Sequence, residues 1–250
     1  IYGAITIDHD GRGLYNTRLG HGDALHVADH DPDRVGLEIW AVHESVPHQA
    51  GMNLRDARTG EVLWGKPTDY DVGRGVAANI DPRYRGSETW ASRSLLMDID
   101  GNEISRTVPT MNFAIWWDGD LQRELLDGTT ISKYDWERDA IVTLLSPRGV
   151  ASNNGSKATP TLQADLFGDW REEVIWRSED SSELRIYTTT DLTEHRLYTL
   201  MHDPMYRVAI AWQNVAYNQP PHPSFYVGED MEPQFYHPGS IKVFLMELDR

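Results

Sequence analysis

The chain has 250 residues, of which 40% are hydrophobic and 10% aromatic, so it can bury the core of one or two ordinary domains. Its 39 acidic residues outnumber its 23 basic ones and give a formal net charge of −16, which excludes nucleic acid and anionic membranes as partners. Cysteine is absent, which excludes disulfides, and no apolar run approaches the roughly 18 residues of a membrane span.

Short strand-like runs, broken by Gly, Pro, Asn and Asp, follow one another along the chain, and long helical periodicity is absent. In chain order these runs are GLEIWAVHE, GEVLWG, FAIWWDGD, EVIWRS, ELRIYTTT, VAIAWQN and IKVFLMEL. Turn residues at Thr59-Gly60 and at 179–182 predict two hairpins. The sequence therefore predicts an all-β fold whose strand tryptophans belong to the core, namely Trp40, Trp64, Trp117 and Trp176.

A degenerate repeat combines an Asp-rich turn with a following strand. Its leading residues are Asp29, Asp98 and Asp165, at nearly equal intervals, and a fourth copy opens the chain at ITIDHDGRG. A unit of this length carries about four strands, which is the size of a β-propeller blade with long loops.

The Asp-rich turns also predict Ca²⁺ sites, because alternate Asp and Asn residues around a tight turn can direct several oxygens inward. One turn contains Asp29, Asp31, Asp33 and Glu38; the second contains Asp98, Asp100 and Asn102; the third contains Asp165, Asp169, Glu172 and Glu173. The alternative is a set of solvated turns, where Asp and Asn are favoured in any case.

The stretch GHGDALH adds imidazoles to the carboxylates and raises the question of a transition metal. A helical HExxH pattern is absent, so we expect a mixed Ca²⁺ site that includes Asp23, His26 and Glu44. His30 and His43 are predicted to be structural.

The stretch SNNGSKATP places Lys157, one of only four lysines, in a polar turn. The oxygens of Asn153 and Asn154 can face a cation or a sugar, and Gly155 lets the backbone approach a ligand. Arg74 lies between two glycines in DVGRGVA and offers a second cation. The alternatives are a solvated loop lysine and an ordinary turn arginine.

Three long stretches resemble the rhamnogalacturonan lyases of polysaccharide lyase family 11: LGHGDALHVADHDPDRVGLEIWAVHE, ADLFGDWREEVIWR and VAIAWQNVAYNQPPHPSFYVG. The resemblance implies an eight-bladed, Ca²⁺-rich β-propeller, secreted by bacteria, that cleaves the rhamnose–galacturonate backbone of pectin by β-elimination. Family members are about twice as long or longer. We therefore expect residues 1–250 to form about four blades, a single region from the C-terminal half of a larger propeller.

The resemblance also implies residue roles. It places the catalytic base at Lys157, favours Arg74 as its partner, and assigns sugar binding to Asn214, Ala216 and Tyr217. It implies several calcium ions as cofactors, a pectic polysaccharide as partner, a monomer when complete, and an extracellular location. Two alternatives stay open: a non-catalytic, Ca²⁺-stabilised propeller fragment that holds pectin, and an adhesion or scaffold propeller.

Overall fold

The computed structural model describes residues 4–213 and 218–231. A hairpin of β1 (Ile5–Ile7) and β2 (Gly13–Asn16) opens the described part, and four sheets of four strands each follow it in chain order. All strand pairs are antiparallel. The all-β prediction is confirmed.

The first sheet contains β3 (Ala24–Ala28), β4 (Glu38–Val42), β5 (His48–Asp56) and β6 (Val62–Thr68). The second contains β7 (Gly75–Ala78), β8 (Glu88–Ala91), β9 (Leu96–Met97) and β10 (Glu103–Ser105). The third contains β11 (Phe113–Ile115), β12 (Glu124–Asp127), β13 (Thr130–Asp135) and β14 (Ala140–Leu145). The fourth contains β15 (Val150–Ala151), β16 (Leu162–Ala164), β17 (Glu173–Ser178) and β18 (Leu184–Tyr187).

Consecutive sheets pack against each other through separate apolar cores. Trp40 and Leu54 of the first sheet share a core with Ala77 of the second. Further cores join the second sheet to the third, and the third to the fourth around the fully buried Trp176. Such stacking is what a propeller requires, and the propeller itself stays a prediction. No helix of the described residues is long and apolar enough to cross a bilayer.

Both predicted hairpins are confirmed, as β5–β6 and β17–β18. The sequence prediction that Asp29 and Asp98 begin equivalent repeat units is wrong. The Asp29 turn joins the first two strands of its sheet, whereas the Asp98 turn joins the last two of the next one. Asp98 accepts backbone N–H groups of its own tight turn. Aspartate is favoured in such turns wherever they occur, so the similar spacing of the Asp-rich turns did not reflect a structural repeat.

The structural repeat is marked by a buried glutamate at the start of a strand. In each sheet its Oε2 atom accepts two backbone N–H groups from the preceding loop, as seen for Glu38, Glu88, Glu124 and Glu173. These bonds satisfy loop donors that are withdrawn from water, which explains why a carboxylate recurs there.

A helix, α1 (Pro204–Trp212), replaces the strand predicted at VAIAWQN. Asp203 caps it by accepting from Met205 N at 3.2 Å, and Pro204 occupies the first turn. Tyr206 and Ala209, three residues apart, form its buried side. These helix-start signals outweighed the alternating apolar residues. The strand predicted at IKVFLMEL lies outside the described residues.

Candidate active site

Lys157 lies on a loop that interrupts an edge strand. β15 and β16 pair with different ends of the same edge of β17, and residues 152–161 bulge out between them. A 3₁₀ turn spans Gly155–Lys157, with Lys157 N donating to Asn154 O at 3.0 Å. Gly155 has φ +49°, a left-handed conformation that favours glycine.

The two asparagines of this loop hold its backbone. Asn153 Nδ2 donates to Pro160 O at 3.2 Å, and Asn154 Oδ1 accepts from Thr159 N at 3.1 Å. Both residues remain exposed. The geometry shows them shaping the lysine loop, and their predicted sugar contacts stay predictions, as does the one for Gly155.

Arg74 reaches the same loop from the start of the second sheet. Its Nη2 donates to Ser156 O at 3.2 Å, and its Nη1 donates to Asn218 Oδ1 at 2.5 Å. Asn218 is fully buried, and its Nδ2 donates to Lys157 O at 2.6 Å. Asn218 therefore joins Arg74 to the lysine loop, a bridging role that the sequence did not reveal. Asn214, Ala216 and Tyr217 lie outside the described residues.

His21, Asp23 and Glu44 offer ligand atoms that all lie within 4.8 Å of one another. His21 Nε2 is 3.5 Å from Asp23 Oδ1 and 3.7 Å from Glu44 Oε2. Within the described ranges, the buried Asp23 Oδ1 has no hydrogen-bond donor. The Asp23 carboxyl is the main cause that raises the pKa of Glu44. Two carboxylates and an imidazole thus fit a divalent cation that has further positions open.

The structure places His21 in this cluster where the sequence prediction had placed His26. Side chains alternate along a strand, and on β3 the His26 ring turns inward, 1% exposed, while Leu25 is 37% exposed. His26 Nε2 contacts Gly75 O at 2.9 Å, and Nδ1 contacts His222 Nε2 at 2.9 Å. With both ring nitrogens engaged, His26 is not available to a metal in this geometry.

The electrostatics connect this cluster to the lysine. The pKa of Lys157 is lowered, first by burial and second by the nearby Arg74 guanidinium, while Asp23 and Glu44 act in the opposite direction. The opposing carboxylates are those of the candidate cation cluster, not Asp165. A cation bound by Asp23 and Glu44 would cancel their effect and favour the neutral amine.

The first Asp-rich loop does not form such a group among the described residues. Glu38 is committed to loop N–H groups, Asp33 Oδ1 accepts from Arg85 Nε at 2.9 Å, and Asp29 Oδ2 accepts from Tyr226 N at 3.2 Å. Burial, aided by neighbouring Asp31, raises the pKa of Glu38 to about 7. A Ca²⁺ site in this loop stays a prediction.

The second loop is a tight, exposed turn. Asp98 Oδ1 accepts from Asp100 N at 3.1 Å and from Asn102 N at 2.8 Å. Asp100 is close enough to Asp31 for its charge to contribute to raising the pKa of Asp31, after burial and Asp33. The carboxylates of the first and second loops therefore interact electrostatically. A cation bound by the second loop stays a prediction.

The third loop is tied into the interior. Asp165 Oδ2 accepts from Thr199 Oγ1 at 2.7 Å and from Leu200 N at 2.8 Å. Glu172 is fully buried, accepts from Tyr206 Oη at 2.6 Å and pairs with Arg123. Asp169 pairs with the arginine two residues later at 2.5 Å. Protein donors occupy these carboxylates, so they do not form a cation group in this structure.

A second group of carboxylates close enough together to hold a cation consists of Asp118, Asp120 and Glu124. The sequence analysis did not predict it. Lys133 Nζ donates to all three, at 2.5, 2.6 and 2.9 Å. Its ammonium group occupies the centre of the carboxylates. The turn WWDGDLQRE carries the same alternate acidic pattern as the predicted loops, and that signal could have revealed it.

Comparisons with known proteins give one consistent result. The model of the C-terminal domain of rhamnogalacturonan lyase family 11 matches residues 1–237. The chain is 59% identical over 243 residues to rhamnogalacturonan endolyase YesW of Bacillus subtilis, covering 95% of this chain and 39% of that protein. It is 58% identical over 261 residues to rhamnogalacturonan exolyase YesX of the same organism, covering 96% of this chain and 43% of that protein.

Solved structures agree. The crystal structure of YesW superposes with a TM-score of 0.89 at 60% identity, covering 93% of this chain and 40% of that one. A rhamnogalacturonan lyase from Bacillus licheniformis gives the same values. The chain thus spans about two fifths of the length of the curated relatives it matches.

Proposed function

The chain belongs to rhamnogalacturonan lyase family 11, whose C-terminal domain it matches, and we propose that it carries the base of a pectin-cleaving β-elimination. The single observation that supports this most is the joining of Lys157 and Arg74 through Asn218, next to a cluster of cation ligands. Both lyase relatives are similar over nearly the whole chain.

The proposed reaction begins with removal of the C5 proton of a galacturonate by the neutral Lys157 amine. The electron pair of the C5–H bond forms the C4=C5 double bond, and the C4–O bond breaks, so that the departing rhamnose oxygen takes up a proton. No oxidant or reductant is required. Burial and the Arg74 guanidinium lower the pKa of Lys157, and that direction favours the deprotonated amine that a base requires.

Arg74 has a second use. Negative charge develops on the substrate carboxylate as C5 loses its proton, and a guanidinium can hold such a group through two hydrogen bonds. A calcium ion at His21, Asp23 and Glu44 would act as a Lewis acid on that carboxylate. Asn214, Ala216 and Tyr217 are proposed to hold the sugar, with rhamnose as its identity.

The remaining features are proposed together. The four stacked sheets are proposed as four blades of a larger, Ca²⁺-stabilised propeller that acts as a secreted, extracellular monomer on pectic polysaccharide. Calcium is also proposed at the Asp29–Glu38 and Asp98–Asn102 loops, where burial and then neighbouring carboxylates raise the pKa of Asp31 and of Glu38. The Asp165–Glu172 loop is not proposed again as a cation site, because protein donors fill it.

The test is product formation by the complete protein that contains this chain. Mixed with rhamnogalacturonan, it should generate the ultraviolet absorbance of the double bond of an unsaturated uronate, and excess chelator should abolish the rise. Saturable binding of the polysaccharide without any such absorbance would instead indicate the non-catalytic binding module.

A further inference from the structure

A buried line of hydrogen bonds connects the interior of the third sheet to the backbone beside Arg74. It contains Arg123, His222 and His26, whose exposed fractions are 2%, 4% and 1%. Arg123 Nη1 is 3.2 Å from His222 Nδ1. His222 Nε2 is 2.9 Å from His26 Nδ1, and His26 Nε2 is 2.9 Å from Gly75 O.

The chemistry of the end groups fixes the direction of every bond. A guanidinium has only donors, so His222 Nδ1 must accept from Arg123 and carries no proton. The proton of the neutral His222 ring is then on Nε2, which donates to His26 Nδ1. His26 in turn must carry its proton on Nε2, where the Gly75 carbonyl, which has no proton, accepts it.

The surroundings keep both rings neutral. Burial and Arg123 lower the pKa of His222 well below its ordinary value. Burial, followed by the neighbouring His30, lowers the pKa of His26 to about 3. Arg123 is itself held by Glu172, with 3.4 Å between Nη2 and Oε2.

The line joins three segments that carry the candidate site. His26 is on β3, which follows Asp23; Gly75 follows Arg74 directly; and His222 is four residues after Asn218. Gly75 also lacks room for a side chain, because a Cβ there would lie 2.7 Å from Val42 Cγ1. The position of the Arg74 backbone therefore depends on its partners beneath the site.

We propose that Arg123, His222 and His26 form a one-way hydrogen-bond chain that fixes both imidazoles as Nε2–H tautomers and positions Arg74 through the Gly75 carbonyl. His26 is then a positioning residue, not a metal ligand. The role given to Arg74 rests on the proposed function, whereas the tautomers do not.

Long-range ¹H–¹⁵N correlation spectra of the histidine-labelled chain read the tautomers directly. Signals of His26 and His222 should both show a protonated Nε2 and a bare Nδ1. The exposed His202 serves as the internal reference for a ring in contact with solvent. A protonated Nδ1 on either ring, or a charged ring, would overturn the proposed one-way hydrogen-bond chain.

Two substitutions at His26 separate its hydrogen bond to Gly75 O from its hydrogen bond to His222. In His26→Gln the amide nitrogen can occupy the place of Nε2 and still donate to Gly75 O. In His26→Asn the amide can reach only His222. His26→Asn should therefore weaken the binding of a rhamnogalacturonan oligosaccharide to the complete protein about five- to tenfold, the loss expected for one buried hydrogen bond, and His26→Gln should restore most of it.

Equal losses of affinity in the two variants would overturn the positioning role, because packing alone would then explain them. If the wild-type protein binds no oligosaccharide, the proposed function fails. The tautomer spectra still decide whether the hydrogen-bond chain from Arg123 to Gly75 exists.

Discussion

Replacing Lys133 by methionine should destabilise the third sheet, because its ammonium group holds three carboxylates together. Lys133 Nζ lies 2.5 Å from Asp118 Oδ2, 2.6 Å from Asp120 Oδ2 and 2.9 Å from Glu124 Oε1. Burial alone would lower the pKa of Lys133, but these carboxylates raise it above its ordinary value. Methionine has a similar length, so the change removes the charge without leaving a large cavity.

The magnitude follows from the burial of the partners. Removing one partner of a buried ion pair costs about 3–5 kcal/mol of the free energy of unfolding. Glu124 is fully buried, but Asp118 is 18% and Asp120 39% exposed, so solvent screens part of the carboxylate repulsion. We therefore expect the lower end, about 3 kcal/mol. For a chain of this length that corresponds to a melting temperature lower by about 6–12 °C.

The loss should depend on pH. Burial raises the pKa of Glu124, and Lys133 opposes that shift. In Lys133→Met the pKa of Glu124 in the folded state rises further. A carboxyl with a raised folded pKa stabilises the fold at low pH, and that stabilisation is lost as the pH rises through the folded pKa. The deficit should be smallest near pH 4, below the ordinary carboxyl pKa of about 4.3, and should grow as the pH rises through the raised folded pKa of Glu124.

Thermal unfolding followed by circular dichroism, in chelator and across this pH range, measures the effect. Lys66→Met on β6 is the matched control, because no ion pair is seen for Lys66 within the described ranges. Added Ca²⁺ should recover part of the loss, since a cation can replace the ammonium. A Lys133→Met deficit that is absent, or that is the same at every pH and unaffected by Ca²⁺, would refute this reasoning.

Three further predictions concern the loops. Gly155→Ala should lower stability by about 1 kcal/mol, because its φ of +49° strains an L-residue although no atom lies within 4 Å of the added Cβ; an unchanged melting temperature would show that the loop relaxes. Calorimetry should find Ca²⁺ affinity at His21, Asp23 and Glu44 rising with pH, because the cation displaces the proton favoured by the raised pKa of Glu44; a flat pH dependence would exclude that site. In chelator, stability should fall as the pH rises through about 7, the pKa of Glu38, and Ca²⁺ should restore it; coincident melting curves with and without Ca²⁺ would argue against a cation in that loop.

The sequence predicts well what local chemistry determines. EVIWRS forms β17 with the predicted bounds, and both hairpins form where turn residues require them. It misplaced the repeat because Asp98 and Asp29 share turn chemistry but not a place in their sheets. The helix that begins at Pro204 was missed because its apolar residues fit both the two-residue period of a strand and the 3.6-residue period of a helix. Only the Asp203 cap distinguishes the helix from the strand.

The candidate site depends on contacts between distant segments, which a single sequence does not contain. Resemblance placed the base at Lys157 and favoured Arg74 as its partner, but the Asn218 bridge depends on one contact across 144 positions and another across 61. The sequence prediction chose His26 as the ligand, and only the orientation of β3 showed that the His26 ring faces inward while His21 lies beside Asp23.

Turnover of Lys157 variants in the complete protein tests the central claim most directly. Lys157→Ala and Lys157→Arg should both lose nearly all kcat, measured by double-bond absorbance, while oligosaccharide affinity stays close to that of the wild type. Arginine keeps the charge but does not deprotonate, so it cannot serve as the base. If Lys157→Arg retains most of the wild-type kcat, Lys157 is a charge anchor and the base is another residue.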